Sequence, residues 1–162
     1  MCYECRREKG EEASVFYDEW YARGYMDEWP AEEKQRVLEL VKSLDLGEKG
    51  DVLDLGCGNG EFTGVLKKAL PKWNVYGTDI SAIAIENAQK RHSDCSFFLT
   101  SDNCFINKKF DILFTHHVLE HVDDIDKIWA EIDQYLKKRA FALHILPCGN
   151  QGSFEYNLCM LK

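Results

Sequence analysis

The sequence predicts an α/β fold, a single domain built on a doubly wound, mostly parallel sheet. Three observations carry that expectation. The apolar run DVLDL at 51–55 breaks into glycines at alternate positions, Gly56, Gly58 and Gly60, as at a strand-to-helix turn that lets a nucleotide-sized ligand approach the backbone. From residue 51 onward strand-like and helix-like segments alternate, the pattern of parallel strands joined by right-handed crossovers. The length of 162 residues and a hydrophobic content of 45% suit one buried core, with no repeats or low-complexity tracts. We divide the domain into an N-terminal helical cap segment, 1–46, and a ligand-binding core, 47–162.

In the cap segment, residues 11–29 (EEASVFYDEWYARGYMDEW) are dense in aromatics and acids ahead of Pro30. Beyond it, Val37, Leu40, Val41 and Leu44 make the i, i+3, i+4, i+7 stripe of an amphipathic helix that ends near Gly47. Tyr17, Tyr21, Tyr25 and Trp29 read as an aromatic stripe that staples this segment to the core.

After the glycines, a helical stretch closes at Leu66–Leu70 and Pro71 stops it; WNVYGTDIS (73–81) is a second strand ending in Asp79, 23 residues beyond Gly56. Ser81 caps the next helix, which contains Ile83, Ile85 and Ala88. CSFFLT (95–100) is the third strand and the segment from Phe110 the fourth. Ile125, Ile128, Trp129, Ile132 and Leu136 stripe the following helix, capped by Asp123 or Asp124, and RAFALHILP (139–147) is a fifth parallel strand.

Glycine spacing discriminates between ligands. A dinucleotide fingerprint needs its third glycine three residues after the second, and that position is Glu61, a carboxylate where a pyrophosphate would sit. A nicotinamide or flavin dinucleotide is therefore not expected. Asp79, at the end of the second strand, can accept hydrogen bonds from both hydroxyls of a ribose.

Asp54, Gly56, Gly58 and Gly60, then Asp79, then the turn Ser101, Asp102 and Asn103, then FDILFTHHVLEHVDD (110–124) follow one another over about seventy residues. In that order they resemble the motifs of class I, Rossmann-like S-adenosylmethionine-dependent methyltransferases of the small-molecule type. The resemblance implies S-adenosylmethionine as cofactor. It places Asp54, Gly56, Cys57 (through its backbone), Gly58, Asp79 and Ile80 against the cofactor, Ser101, Asp102 and Asn103 at the adenine, and Thr115 and His116 at the methionine end. It also offers a second reading of the aromatic stripe, with Tyr21 or Trp29 lining the methionine end.

Methyl transfer from a sulfonium is chiefly a matter of in-line positioning. A base matters only where the acceptor must lose a proton. His116, His117, Glu120 and His121 cluster at the end of the fourth motif, and His117 and His121, four apart and so on one face of a helical turn, are the catalytic candidates. The structural alternative is histidines that hydrogen-bond the neighbouring loop. No metal is expected. His117, Glu120, His121 and FEYN (154–157) do loosely resemble the metal-dependent small-RNA 3′-terminal 2′-O-methyltransferases. That family, however, has glutamate where this chain has His117, and a further histidine beyond residue 162.

Composition narrows the partners. The formal net charge is −8, and acidic residues outnumber basic ones 13 to 8 over residues 1–50, so no basic face for nucleic acid is visible and a small-molecule acceptor fits best. No apolar run approaches the roughly eighteen residues that span a bilayer, and the start MCYECRREKGEE has no secretion signal. Seven cysteines in scattered contexts suggest reduced thiols and a cytoplasmic location, with Cys2 and Cys5 a loose terminal pair rather than a zinc site. Fifteen residues follow Pro147, whereas the resembled family adds a helix and an antiparallel strand pair there. Two expectations follow: a core lacking that pair, and a fifth strand left as an edge open to a second copy or a partner. A module that binds the cofactor but is inactive, or depends on a partner, is the alternative function.

Overall fold

The computed structural model describes residues 12–102, 105, 107–122, 124–147 and, as backbone alone, 156–161. Among the described residues, two helices, α1 (Ala13–Tyr21) and α2 (Ala31–Ser43), precede the alternating core. The core runs β1 (Asp51–Leu55), α3 (Glu61–Ala69), β2 (Asn74–Asp79), α4 (Ala82–Arg91), β3 (Ser96–Leu99), β4 (Phe110–His116), α5 (Ile125–Tyr135), β5 (Leu136–Pro147) and β6 (Tyr156–Leu161). Strand order is β3-β2-β1-β4-β5-β6, with the first five parallel and β6 antiparallel to β5. The chain reverses its winding between β1 and β4, and in such sheets the crevice beyond the carboxyl ends of the strands at that point receives the ligand.

Strand periodicity sorts the core onto two faces. Val52, Val75, Ile112, Phe114, Leu143 and Ile145 meet Val37 and Val41 of α2 and Phe62, Val65 and Leu66 of α3 on one side. Leu53 and Leu113 meet Leu119, in the turn after β4, and Ile132 of α5 on the other. The helix ends follow the expected chemistry. Ser81 Oγ accepts from Ala84 N at 3.1 Å, and Asp124 Oδ1 accepts from Lys127 N at 3.0 Å; Asp123 lies outside the described residues.

Two boundaries differ from expectation. Leu136 does not extend α5 but opens β5, pairing with Phe110 before the register shifts to Ile112 opposite Phe141. The antiparallel part is not wholly missing, because β6 covers β5 from Ala142 opposite Leu161 to Pro147 opposite Tyr156. Among the described residues, the outermost strand on that side is β6 rather than β5.

Candidate cofactor and acceptor site

The loop after β1 is shaped by left-handed glycines, Gly56 and Gly58 foremost. Gly56 has φ 75° and Gly58 φ 53°, a region that side chains with a Cβ enter only at a cost. A Cβ on Gly56 would stand 2.4 Å from Val118 Cγ2, and one on Gly58 2.7 Å from the Tyr21 hydroxyl. The loop is tied to β2 by hydrogen bonds from Gly56 N and Cys57 N to Thr78 O, at 2.8 and 2.9 Å. Asp79 completes the tie: Oδ2 accepts from Gly58 N and Oδ1 from Ser81 N, each at 2.9 Å. The carboxylate keeps a further lone pair for a ligand hydroxyl.

Beside this loop lies a cavity of about 320 Å³, bounded by α1, the glycine loop, the ends of β1, β2 and β4, and α5. Its wall includes Tyr21, Asp54, Gly56, Cys57, Gly58, Asp79, Ile80, His116, His117 and His121, so ten of the residues singled out in the sequence are brought together. Cys57 turns its side chain into the core against Ile85, Ala88 and Phe97, leaving its backbone to the loop, and burial pushes its thiol pKa well up. Tyr21 and Trp29 both reach the cavity. They serve the stapling role as well: Tyr21 packs between Tyr17 and Tyr25, and Trp29 meets Phe62 edge-on.

Other placements correct the expectation. Thr115 is buried on the opposite face of β4, its hydroxyl 2.8 Å from His144 Nδ1, because neighbours on a strand cannot both face the cavity. Ser101 and Asp102 lie in an exposed 3₁₀ turn, and Thr100 reaches the wall in their place. Asn103 lies outside the described residues, as do Cys2 and Cys5. The α-helical turn expected at 117–121 is a 3₁₀ turn over Leu119–His121 preceded by His117 at φ 56°. The two histidines instead flank Glu120, with His117 Nδ1 at 3.1 Å and His121 Nε2 at 4.0 Å from Glu120 Oε1. Of the FEYN segment, residues 154 and 155 lie outside the described residues.

Electrostatics are dominated by burial. Asp54 is 2% exposed and accepts from Thr63 Oγ1 at 2.6 Å. Burial, reinforced by the charge of Asp79, lifts its carboxyl to about 7. Burial also raises Asp79, against the pull of its backbone donors. His116 stacks on Phe62 with ring centroids 3.8 Å apart and meets Trp29 edge-on; burial, with His117 adding to it, lowers its pKa to about 3, so the ring is neutral at physiological pH. Burial alone would lift Glu120, but the contact and charge of His117 hold it below the usual range.

Two residues that sequence reasoning passed over organise the site. Glu33, on α2, places Oε1 2.7 Å from His116 Nε2 and is buried. Its signal was a carboxylate four residues before Val37, within the apolar stripe. Asn59 donates to Tyr25 O and Asp27 Oδ1 at 3.2 and 2.9 Å and accepts from Asn87 Nδ2 at 3.2 Å, joining the cap segment, the glycine loop and α4. Glu61 is not the bare charge the sequence suggested, since it pairs with Lys34 and Arg91. Glycine spacing, rather than the charge of Glu61, is thus the firmer reason against a pyrophosphate. Among the described residues, no lysine or arginine lines the cavity, whereas Asp54, Glu61, Asp79 and Glu131 do.

Residues 53–142 match the family model described as a methyltransferase domain. The release factor glutamine methyltransferase of Streptococcus pneumoniae is 32% identical over 91 residues, covering 54% of this chain and 33% of that protein. The ribosomal RNA small subunit methyltransferase C of Haemophilus influenzae is 29% identical over 109 residues, covering 65% of this chain and 32% of its own length. The chain thus spans about a third of the length of these relatives. Among solved structures, the plantazolicin methyltransferase BpumL, in complex with a pentazolic desmethylPZN analog and SAH, superposes with a TM-score of 0.66 at 17% identity. That match covers 82% of this chain and 57% of the other.

Proposed function

This chain belongs to the class I methyltransferase domain family, and from that premise we propose that it binds S-adenosylmethionine in the β1/β4 crevice and methylates a small-molecule acceptor. The observation that carries the reading is the cradle formed by Gly56, Gly58 and Asp79, opening on a cavity walled by carboxylates and, among the described residues, by no lysine or arginine. A cationic sulfonium suits such a wall, and an acceptor rich in phosphate does not. The relatives named above act, by their names, on a release factor and on ribosomal RNA, so the acceptor is argued from this chain's own residues.

When bound, S-adenosylmethionine supplies a methyl group already activated on sulfur. The residues of the chain then position and exclude water. Asp79 holds the glycine loop and offers acceptors to ribose hydroxyls; Tyr21 covers Gly58; Trp29 and Phe62 fix the neutral ring of His116. For an acceptor that must lose a proton, His117 and His121 are the bases at hand, with the Glu120 carboxylate between them. No described helix is long and apolar enough to cross a membrane; the free thiols of Cys57 and Cys95 support a reducing, cytoplasmic setting.

Titration of Asp54 gives a pH signature. A cation is held by the ionised carboxylate, so S-adenosylmethionine affinity should fall as pH drops through about 7, and binding below that pH should release protons to the buffer. Calorimetry in buffers of different ionisation enthalpy reads both effects. Asp54→Asn should bind more weakly and without the pH dependence; a wild-type affinity flat across that range contradicts the role given to Asp54. Activity is tested by labelled methyl transfer to a panel of neutral, amine and anionic metabolites, peptides and ribosomal RNA. Turnover on a neutral or amine metabolite supports the proposal. Cofactor binding with turnover only on RNA, or only after a partner is added, overturns the small-molecule reading in favour of another substrate or a partner-dependent module.

A further inference from the structure

We propose that Glu33, His116 and His117 form a binding site for a divalent transition-metal ion of zinc's class, at the acceptor side of the cavity. One donor atom from each of the three lies within 4.8 Å of the others, on residues drawn from α2, the end of β4 and the turn after it. Two imidazoles and one carboxylate are the donor set of open, catalytic zinc sites, and of several other first-row metals. A tetrahedral ion at ordinary bond lengths sets its donors about 3.3 Å apart. Binding the ion at that spacing requires Glu33 Oε1 and His116 Nε2, now 2.7 Å apart, to open slightly.

Two independent observations point the same way. Glu120 brings Oε1 to 3.1 Å from His117 Nδ1, within reach of the outer carboxylate position that a metal-bound histidine usually has on its second nitrogen. His117 is also held at φ 56° without being glycine, a conformation that a surrounding structure sustains at functional positions. The set is distinct from His117, Glu120 and His121, which the sequence brought to mind. In the fold Glu120 backs His117, and Glu33, 83 residues away in sequence from His116, takes the ligand position; with the ion bound, His117 is a ligand and His121 alone is left as a base. The location beside the acceptor rests on the methyltransferase reading; the ion site itself rests on geometry alone.

The test uses the full chain, stripped with a chelator and titrated with Zn²⁺ by calorimetry. The zinc-loaded protein is then examined by X-ray absorption at the zinc edge, and S-adenosylhomocysteine affinity is measured on the same preparations. The expected result is one Zn²⁺ per chain in a nitrogen and oxygen shell with imidazole scattering. Glu33→Gln and His117→Ala should each weaken the metal at least tenfold, Glu120→Gln about tenfold through the outer contact, and His121→Ala should leave metal affinity unchanged. Circular dichroism checks each variant, and if Glu33→Gln fails to fold, His117→Ala carries the comparison. Failure of the wild type to take up zinc, a sulfur-containing shell, or loss on His121→Ala with Glu33→Gln unaffected would each overturn the site. Intact S-adenosylhomocysteine binding with no zinc uptake sinks this inference and spares the methyltransferase reading; zinc uptake without S-adenosylhomocysteine binding does the reverse.

Discussion

Asp79→Ala should weaken S-adenosylmethionine binding by about ten- to a hundredfold, corresponding to roughly 1.5–3 kcal/mol for lost hydrogen bonds to a charged acceptor. The loss has two sources. One is the acceptor that the carboxylate offers to ribose. The other is the loop itself, since Gly58 N and Ser81 N both donate to Asp79 and would be left buried without a partner. The second source also lowers the stability of the unliganded chain. Its cost is partly offset, because burial raises the pKa of Asp79 and an ionised carboxylate in that setting is itself unfavourable in the empty fold. The separation is experimental. Thermal unfolding should show a drop of a few degrees, at about 2–4 °C per kcal/mol for a chain of this size, while calorimetry shows the larger loss. Asp79→Asn, which keeps one carbonyl acceptor, should fall between. Unchanged affinity in Asp79→Ala would remove Asp79 from the site.

Gly56→Ala should be at least as damaging, for a steric reason that a second substitution can relieve in part. The new methyl would lie 2.4 Å from Val118 Cγ2, far inside contact, while φ 75° imposes roughly 1–2 kcal/mol of backbone strain on any residue with a Cβ. Either Val118 and the turn leading to Glu120 and His121 move, or the glycine loop does, and the cradle is lost in both cases. Removing the Val118 branches in Gly56→Ala/Val118→Ala leaves only the backbone strain. The double variant should therefore recover at least about 0.5 kcal/mol of stability relative to the sum of the single changes, with cofactor affinity still below wild type. Strict additivity would contradict the packing of the fourth motif against the loop.

Much of this site is legible in the sequence because its rules are local. Asp54, the glycine loop, Asp79 and the Ser81 cap all lie within a single strand-helix-strand unit, where spacing and backbone chemistry dictate the outcome. Legibility fails where long-range packing decides. The contact between Glu33 and His116 joins elements 83 residues apart, and only the oddity of a carboxylate on the apolar face of α2 hinted at it. Thr115 follows strand alternation: with His116 turned to the cavity, its neighbour faces the other side of the sheet and His144. Leu136 satisfied a helical stripe and a strand equally well, and pairing with Phe110 settled it. The turn after β4 failed as an α-helix because His117 adopts a left-handed backbone that no periodicity announces.

The central claim is that the crevice at the ends of β1 and β4 is an adenosyl-sulfonium site. Its most direct test is calorimetric titration of the full chain with S-adenosylhomocysteine, repeated with S-adenosylmethionine. One site per chain with micromolar affinity, lost or strongly weakened in Asp79→Ala, is the predicted result. A chain folded by circular dichroism that gives no binding with either molecule at high micromolar concentration would contradict it.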